Sequence, residues 1–97
     1  MNTAICTAIK EMNTISFTYD GQPRTVEPHA YGVSTAGKES LRAFQTAGRS
    51  NSGNAIGWHM FSVGKIINLS TNGDSFSSTR PGYKKNDKGM TKIHCQL

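Results

Sequence analysis

The sequence predicts a mainly β fold of the α+β type, with one N-terminal helix packed on a small antiparallel barrel of five to six strands. Three observations point there. Ile15, Phe17 and Tyr19 alternate with Ser16, Thr18 and Asp20, the period-2 pattern of a half-buried strand. Asp20 followed by Gly21 is a residue pair that two-residue hairpin turns favour, so a second strand returns from Arg24. Before them, Ile5, Ala8, Ile9 and Met12 fall at i, i+3, i+4 and i+7, which makes residues 3–12 a short amphipathic helix begun by Asn2 or Thr3.

Ten residues are too few for a helix to persist alone, so its apolar stripe has to cover an open end or side of the barrel. In the returning strand Pro28 lacks an amide hydrogen and suits an edge or a bend, and Gly32 offers a second flexing point, so one long bent strand is expected. Residues 34–38 read as a turn and 40–46 as a third strand. The Gly/Ser/Asn-rich stretch 48–57 reads as a mobile surface loop without a phosphate-loop pattern. Strands at 58–63 and 66–71 flank Gly64 and Lys65; alternation puts Phe61 inside and Trp58 on the opposite face, either exposed as a stacking platform or anchor or at least partly buried. Residues 72–82 are turn formers that Phe76 pins to the barrel, and 90–97 alternate as a terminal strand with Ile93, Cys95 and Leu97 on one face.

The opening hairpin resembles that of the WYL domain, a bacterial regulatory and ligand-binding module with an Sm-like small β-barrel. Tyr19, Gly21, Arg24, Val26 and Pro28 match its Tyr, Gly-containing turn and Arg-x-apolar-x-Pro. The family's Trp-Tyr-Leu motif falls on 39–44, where Leu41 and Phe44 are kept and the Trp and Tyr are missing. Its third motif falls on 59–66, keeping Phe61, Val63 and Ile66 while replacing both arginines. The resemblance spans about residues 5–72 and implies an Sm-like barrel and a role in ligand-dependent transcriptional regulation. Many relatives join the barrel to a DNA-reading domain, but no helix-turn-helix pair fits before residue 13, so a regulatory role would need a partner.

At 97 residues the chain buries roughly 60–65% of the surface its unfolded form exposes, enough for one core, so 1–97 reads as a single domain: helix 3–12, barrel about 14–72, basic segment 80–97. With 35% hydrophobic residues it is too apolar to be disordered, and no apolar run is long enough to span a membrane. No signal-peptide pattern is present, which makes cytoplasmic location the default. Cys6, beside the helix stripe, is expected as a small buried thiol and not as half of a disulfide with Cys95. His29, His59 and His94 lack metal-ligand spacing, and no cofactor is implied.

Charge is uneven along the chain. Residues 80–97 hold five basic side chains and one acidic, net +4, against six and five, net +1, in residues 1–79. A basic segment beside a ring supplies the ingredients of sequence-tolerant single-strand binding, while a solvated basic tail is the plainer alternative. Scattered carboxylates and the absence of a nucleophile–base grouping argue against an enzyme, and His29 reads as structural. The expectation is a non-enzymatic module holding an anionic ligand such as a nucleotide or single-stranded nucleic acid. Arg24, Arg42, Arg49, Arg80, Lys84 and Lys85 would supply charge, and Tyr31, Trp58 and Tyr83 stacking surfaces. The alternative is a protein–protein adaptor or homo-oligomeric subunit that pairs a barrel edge or the C-terminal strand with a neighbour.

Overall fold

Helix α1 (Thr3–Glu11) begins where Asn2 Oδ1 accepts the amide of Ile5 (3.1 Å). It stops at Met12, whose φ of 55° turns the chain out of the helix and into the first strand. Ile5, Ala8 and Ile9 are buried as the stripe predicts; Met12 caps the helix instead of extending it. A computed structural model describes residues 2–51 and 53–97, which form this helix and one six-stranded antiparallel sheet.

Strands β1 (Asn13–Tyr19) and β2 (Gln22–Ser34) form the expected hairpin, with Tyr19 opposite Gln22 and both turn residues at positive φ, Asp20 at 52° and Gly21 at 74°. β2 is long because it serves two partners along one edge. Residues 22–26 pair with β1 and residues 30–34 with the last strand, β6 (Met90–Gln96). Pro28, with no amide hydrogen to offer, sits in the stretch between the two partners, and there the register against β3 (Glu39–Gly48) shifts by a bulge. Gly32 proves to be a site of close approach more than a flexing point. A Cβ on it would lie 2.0 Å from the Lys92 carbonyl oxygen and 2.9 Å from Ile93 Cα, so β6 can lie down only on a glycine.

β4 (Gly57–Ser62) pairs with β3, a 3-10 turn (Val63–Lys65) follows, and β5 (Ile67–Ser75) pairs with the far side of β1. The sheet order is β4-β3-β2-β1-β5, with β6 alongside β2. Tyr19 Oη accepts the Ser62 amide hydrogen (3.0 Å) and so ties the end of β1 to the end of β4. Inside, Phe61 meets Phe17 and Tyr19 edge to face at 5.1 and 5.0 Å, and Ile5, Ile9, Ile15, Val26 and Leu41 complete one core. β5 runs four residues beyond its expected end, and at the loop before β4 Asn51 donates to the Asp20 carbonyl and Gln45 to the Arg49 carbonyl, both at 3.2 Å. Ser52, in the same loop, lies outside the described residues.

The cysteine expectation is overturned. Cys6 and Cys95 form a disulfide, Cα to Cα 5.6 Å, that fastens α1 to β6. The C-terminal strand, which the adaptor reading offers to a neighbour, is paired within its own chain. Among the described residues no helix is long and apolar enough to cross a membrane.

Candidate functional site

At the bulge in β2 the His29 ring turns inward and is fully buried. Its Nε2 lies 3.1 Å from the backbone amide of Arg80, which can only donate, so Nε2 accepts and the ring proton resides on Nδ1, which donates to the Glu27 carbonyl at 2.8 Å. Phe76 stacks on the imidazole (5.5 Å, 18°), and Trp58 and Tyr83 approach it at 4.7 and 5.1 Å. Arg80 adds a bidentate pair with Glu27, at 2.7 and 3.0 Å, and lays its guanidinium over Phe44. Segment 76–83 is therefore fastened to β2 by the His29 hydrogen bond, one ion pair and two aromatic contacts, those of Phe76 and Tyr83 on the imidazole.

That fastening builds a cavity of about 360 Å³ at the protein surface. Trp58 and Tyr83 line it with rings at 25° to one another and centroids 6.2 Å apart. The Trp58 indole donates to the Pro81 carbonyl (2.9 Å), Gly82 takes a φ of +90° beside it, and Tyr83 Oη donates to the Leu97 carbonyl (3.0 Å). Burial and the nearby Asp87 charge raise the Tyr83 phenol above its ordinary value, so it stays a donor at neutral pH. Asn86 and Gln96 exchange hydrogen bonds at 2.9 and 3.0 Å, docking the far side of the loop on β6.

Cations complete the lining. Arg42, Lys84, Lys85 and Lys88 border the cavity together with Asp87, four positive charges and one negative, leaving +3. The lysine side chains have no partner among the described residues. Arg42 does: its Nε and Nη2 donate to Asp87 at 2.6 and 3.4 Å. The guanidinium in turn holds the Asp87 carboxyl below its ordinary value, so Asp87 remains an acceptor well into the acid range. A ring surface with three unpaired ammonium groups beside it can hold an anion that carries a planar ring.

Five of the nine residues expected to bind ligand converge here: Arg42, Trp58, Tyr83, Lys84 and Lys85. Arg80 lines a neighbouring cavity, where Glu27 already neutralises it. Arg49 lies exposed in the loop before β4, outside the cavity lining. Arg24 and Tyr31 are corrections, because both are buried, 4% and 1% exposed. Arg24 donates to Gln45 Oε1 (3.2 Å) and to the Tyr19 carbonyl (3.4 Å), and faces the Tyr19 and Phe61 rings, so its charge is used inside the fold. Tyr31 Oη accepts the Asn2 amide hydrogen (2.8 Å) and donates to Glu39. Glu39 also takes the His94 Nε2 at 2.9 Å, which leaves the Tyr31 ring no open face for a ligand. Lys88 and Asp87 were legible only as part of the basic run; nothing local marks them as cavity residues. Among the described residues no group of three or more His, Cys, Asp or Glu side chains could hold a metal ion.

Compared with known proteins, the chain matches no family model, no curated protein and no solved structure.

Proposed function

We propose that this chain is a non-enzymatic binding module whose ligand is an anion bearing an aromatic ring, a nucleotide or one unit of a single-stranded nucleic acid. The observation that carries the reading is the single cavity in which the Trp58 and Tyr83 rings stand beside Lys84, Lys85 and Lys88. Its 360 Å³ sits at the small end of ligand cavities, the size of one nucleotide unit more than of a longer rigid ligand. The WYL-like order of residues in 5–72 supports the same reading, since it implies a ligand-responsive regulatory module. The Cys6–Cys95 bond fits an oxidising compartment better than the cytoplasm.

Trp58 is the sole tryptophan, so its emission reports the cavity directly. Titration with AMP and with short oligo-dT should quench it. For a single strand contacting three phosphates through the three lysines, affinity should fall about twenty-fold between 50 and 200 mM salt. Replacing Lys84, Lys85 and Lys88 together with alanine should abolish most of that salt dependence. Absence of quenching by either ligand at low salt, or an oligomer affinity indifferent to salt, refutes the reading.

A further inference from the structure

Of the buried ionisable groups, His29 alone sits behind the cavity wall with both ring nitrogens committed. We propose that neutral His29 is the positioning residue of this cavity, and that protonating it releases segment 76–83 and dismantles the aromatic wall. The regulation rests on the binding reading above, whereas the release itself can be measured without any ligand.

The geometry sets the direction. An imidazolium carries a proton on each nitrogen and accepts no hydrogen bond, so Nε2–H would oppose the Arg80 amide hydrogen across the present 3.1 Å. The ring is fully buried, and no water can replace the lost acceptor without the segment moving. The ionisable groups that act on it are the Glu27 carboxylate on β2 and the Arg80 guanidinium on the released segment, with the Tyr83 ring against it from the same segment. The Glu27 carboxylate already serves the Arg80 guanidinium. From β4 the ring meets Trp58, and from the chain after β5 Phe76, neither of which titrates. The Leu97 amide donates to the His29 carbonyl (3.0 Å), so the C-terminal strand is attached at the same residue. Burial lowers the His29 pKa below 6.5, opposed in part by the Glu27 carbonyl and carboxylate and assisted by Arg80. With the folded value depressed, the lock is complete above 6.5 and is lost as pH falls through the folded value.

The same segment supplies the acceptor for the Trp58 indole, Pro81, and the second ring, Tyr83. Its release therefore exposes more of the half-buried Trp58 ring to water. If the released form binds no nucleotide, affinity falls by at most about tenfold per pH unit below 6.5, the limit set by uptake of one proton on release, and levels off below the folded value.

The test is Trp58 emission and the NMR signal of its indole N–H, followed against pH without ligand, alongside the His29 ring signals. The expected result is a red shift and an indole N–H displacement that track His29 protonation below 6.5. Nitrogen shifts should also show the Nδ1–H tautomer above it. His29→Gln, whose amide oxygen still accepts from Arg80 and cannot ionise, should move the transition down into the carboxylate range; His29→Phe, which keeps a ring but no acceptor, should show red-shifted emission at every pH. A His29 titration that leaves Trp58 unmoved overturns the proposal, as does an unshifted transition in His29→Gln. Should His29→Gln fail to fold, the NMR titration of the unsubstituted protein decides. AMP titrations about one pH unit above and about one below the midpoint of the His29 titration then separate the two ideas: a pH-linked Trp58 transition with no AMP binding at either pH refutes the binding reading and leaves the lock standing, while AMP binding indifferent to His29 protonation overturns its regulation of the site.

Discussion

Replacing both Cys6 and Cys95 with serine removes the one covalent tie between the first helix and the last strand, and the loop it closes spans 89 positions, nearly the whole chain. The chain-entropy relation for a loop of that length gives about 4.6 kcal/mol of stabilisation at 25 °C, through restriction of the unfolded ensemble. Disulfides often deliver less than this relation gives, and here β6 keeps its ladder to β2, the Leu97 to His29 bond and the Asn86–Gln96 pair. A loss of about 2–4 kcal/mol is therefore expected, with the fold retained. Urea unfolding of the oxidised protein and of the double variant measures it as a shift of midpoint, and the far-UV spectrum should not change. Thiol titration in denaturant without reductant should find no free cysteine. Two reactive thiols in the oxidised protein, or a double variant within about 0.5 kcal/mol of the parent, would refute the reasoning.

Gly32→Ala places a methyl group inside contact distance of the Lys92 carbonyl; the expected cost is about 1–3 kcal/mol, with faster amide exchange concentrated at residues 92–96, while Gly64→Ala, which meets nothing within 4 Å, serves as the control. Equal exchange in the two variants would contradict the close approach. Asp87→Asn keeps the acceptor for the Gly89 amide but frees the Arg42 guanidinium, so AMP affinity should rise about fivefold for one added cation while stability falls by about 1 kcal/mol. Isothermal titration with AMP and a urea midpoint measure both, and an affinity that falls with the fold intact would show that Asp87 contributes directly to binding.

Legibility followed sequence distance. The helix stripe, the Asp20–Gly21 turn and the inward Phe61 are all consequences of periods of two to four residues, and each stands where periodicity put it. Arg24 was misread because charge was taken as exposure, although it shares strand parity with Val26, a core residue; that parity was the signal available. Tyr31 was misread for a different reason. The bulge near Pro28 reverses the parity of everything after it in β2, so a residue five positions from Val26 also faces inward. The gathering of Arg42, Trp58 and the 82–88 loop around one cavity was legible only as a charge excess, since the contacts that create it join residues from 14 to 51 positions apart.

Local pattern and turn chemistry were enough to establish a capped helix, a tight hairpin and a mostly antiparallel β chain, because those choices depend on neighbours along the backbone. Which cations remain free, which are spent on Glu27 or Asp87, and whether Cys6 meets Cys95 depended on the folded arrangement. Hydrogen bonds, ion pairs and disulfides act over a few ångströms of space and are indifferent to separation along the chain, so their partners become known only when the sheet has bent and β6 has docked.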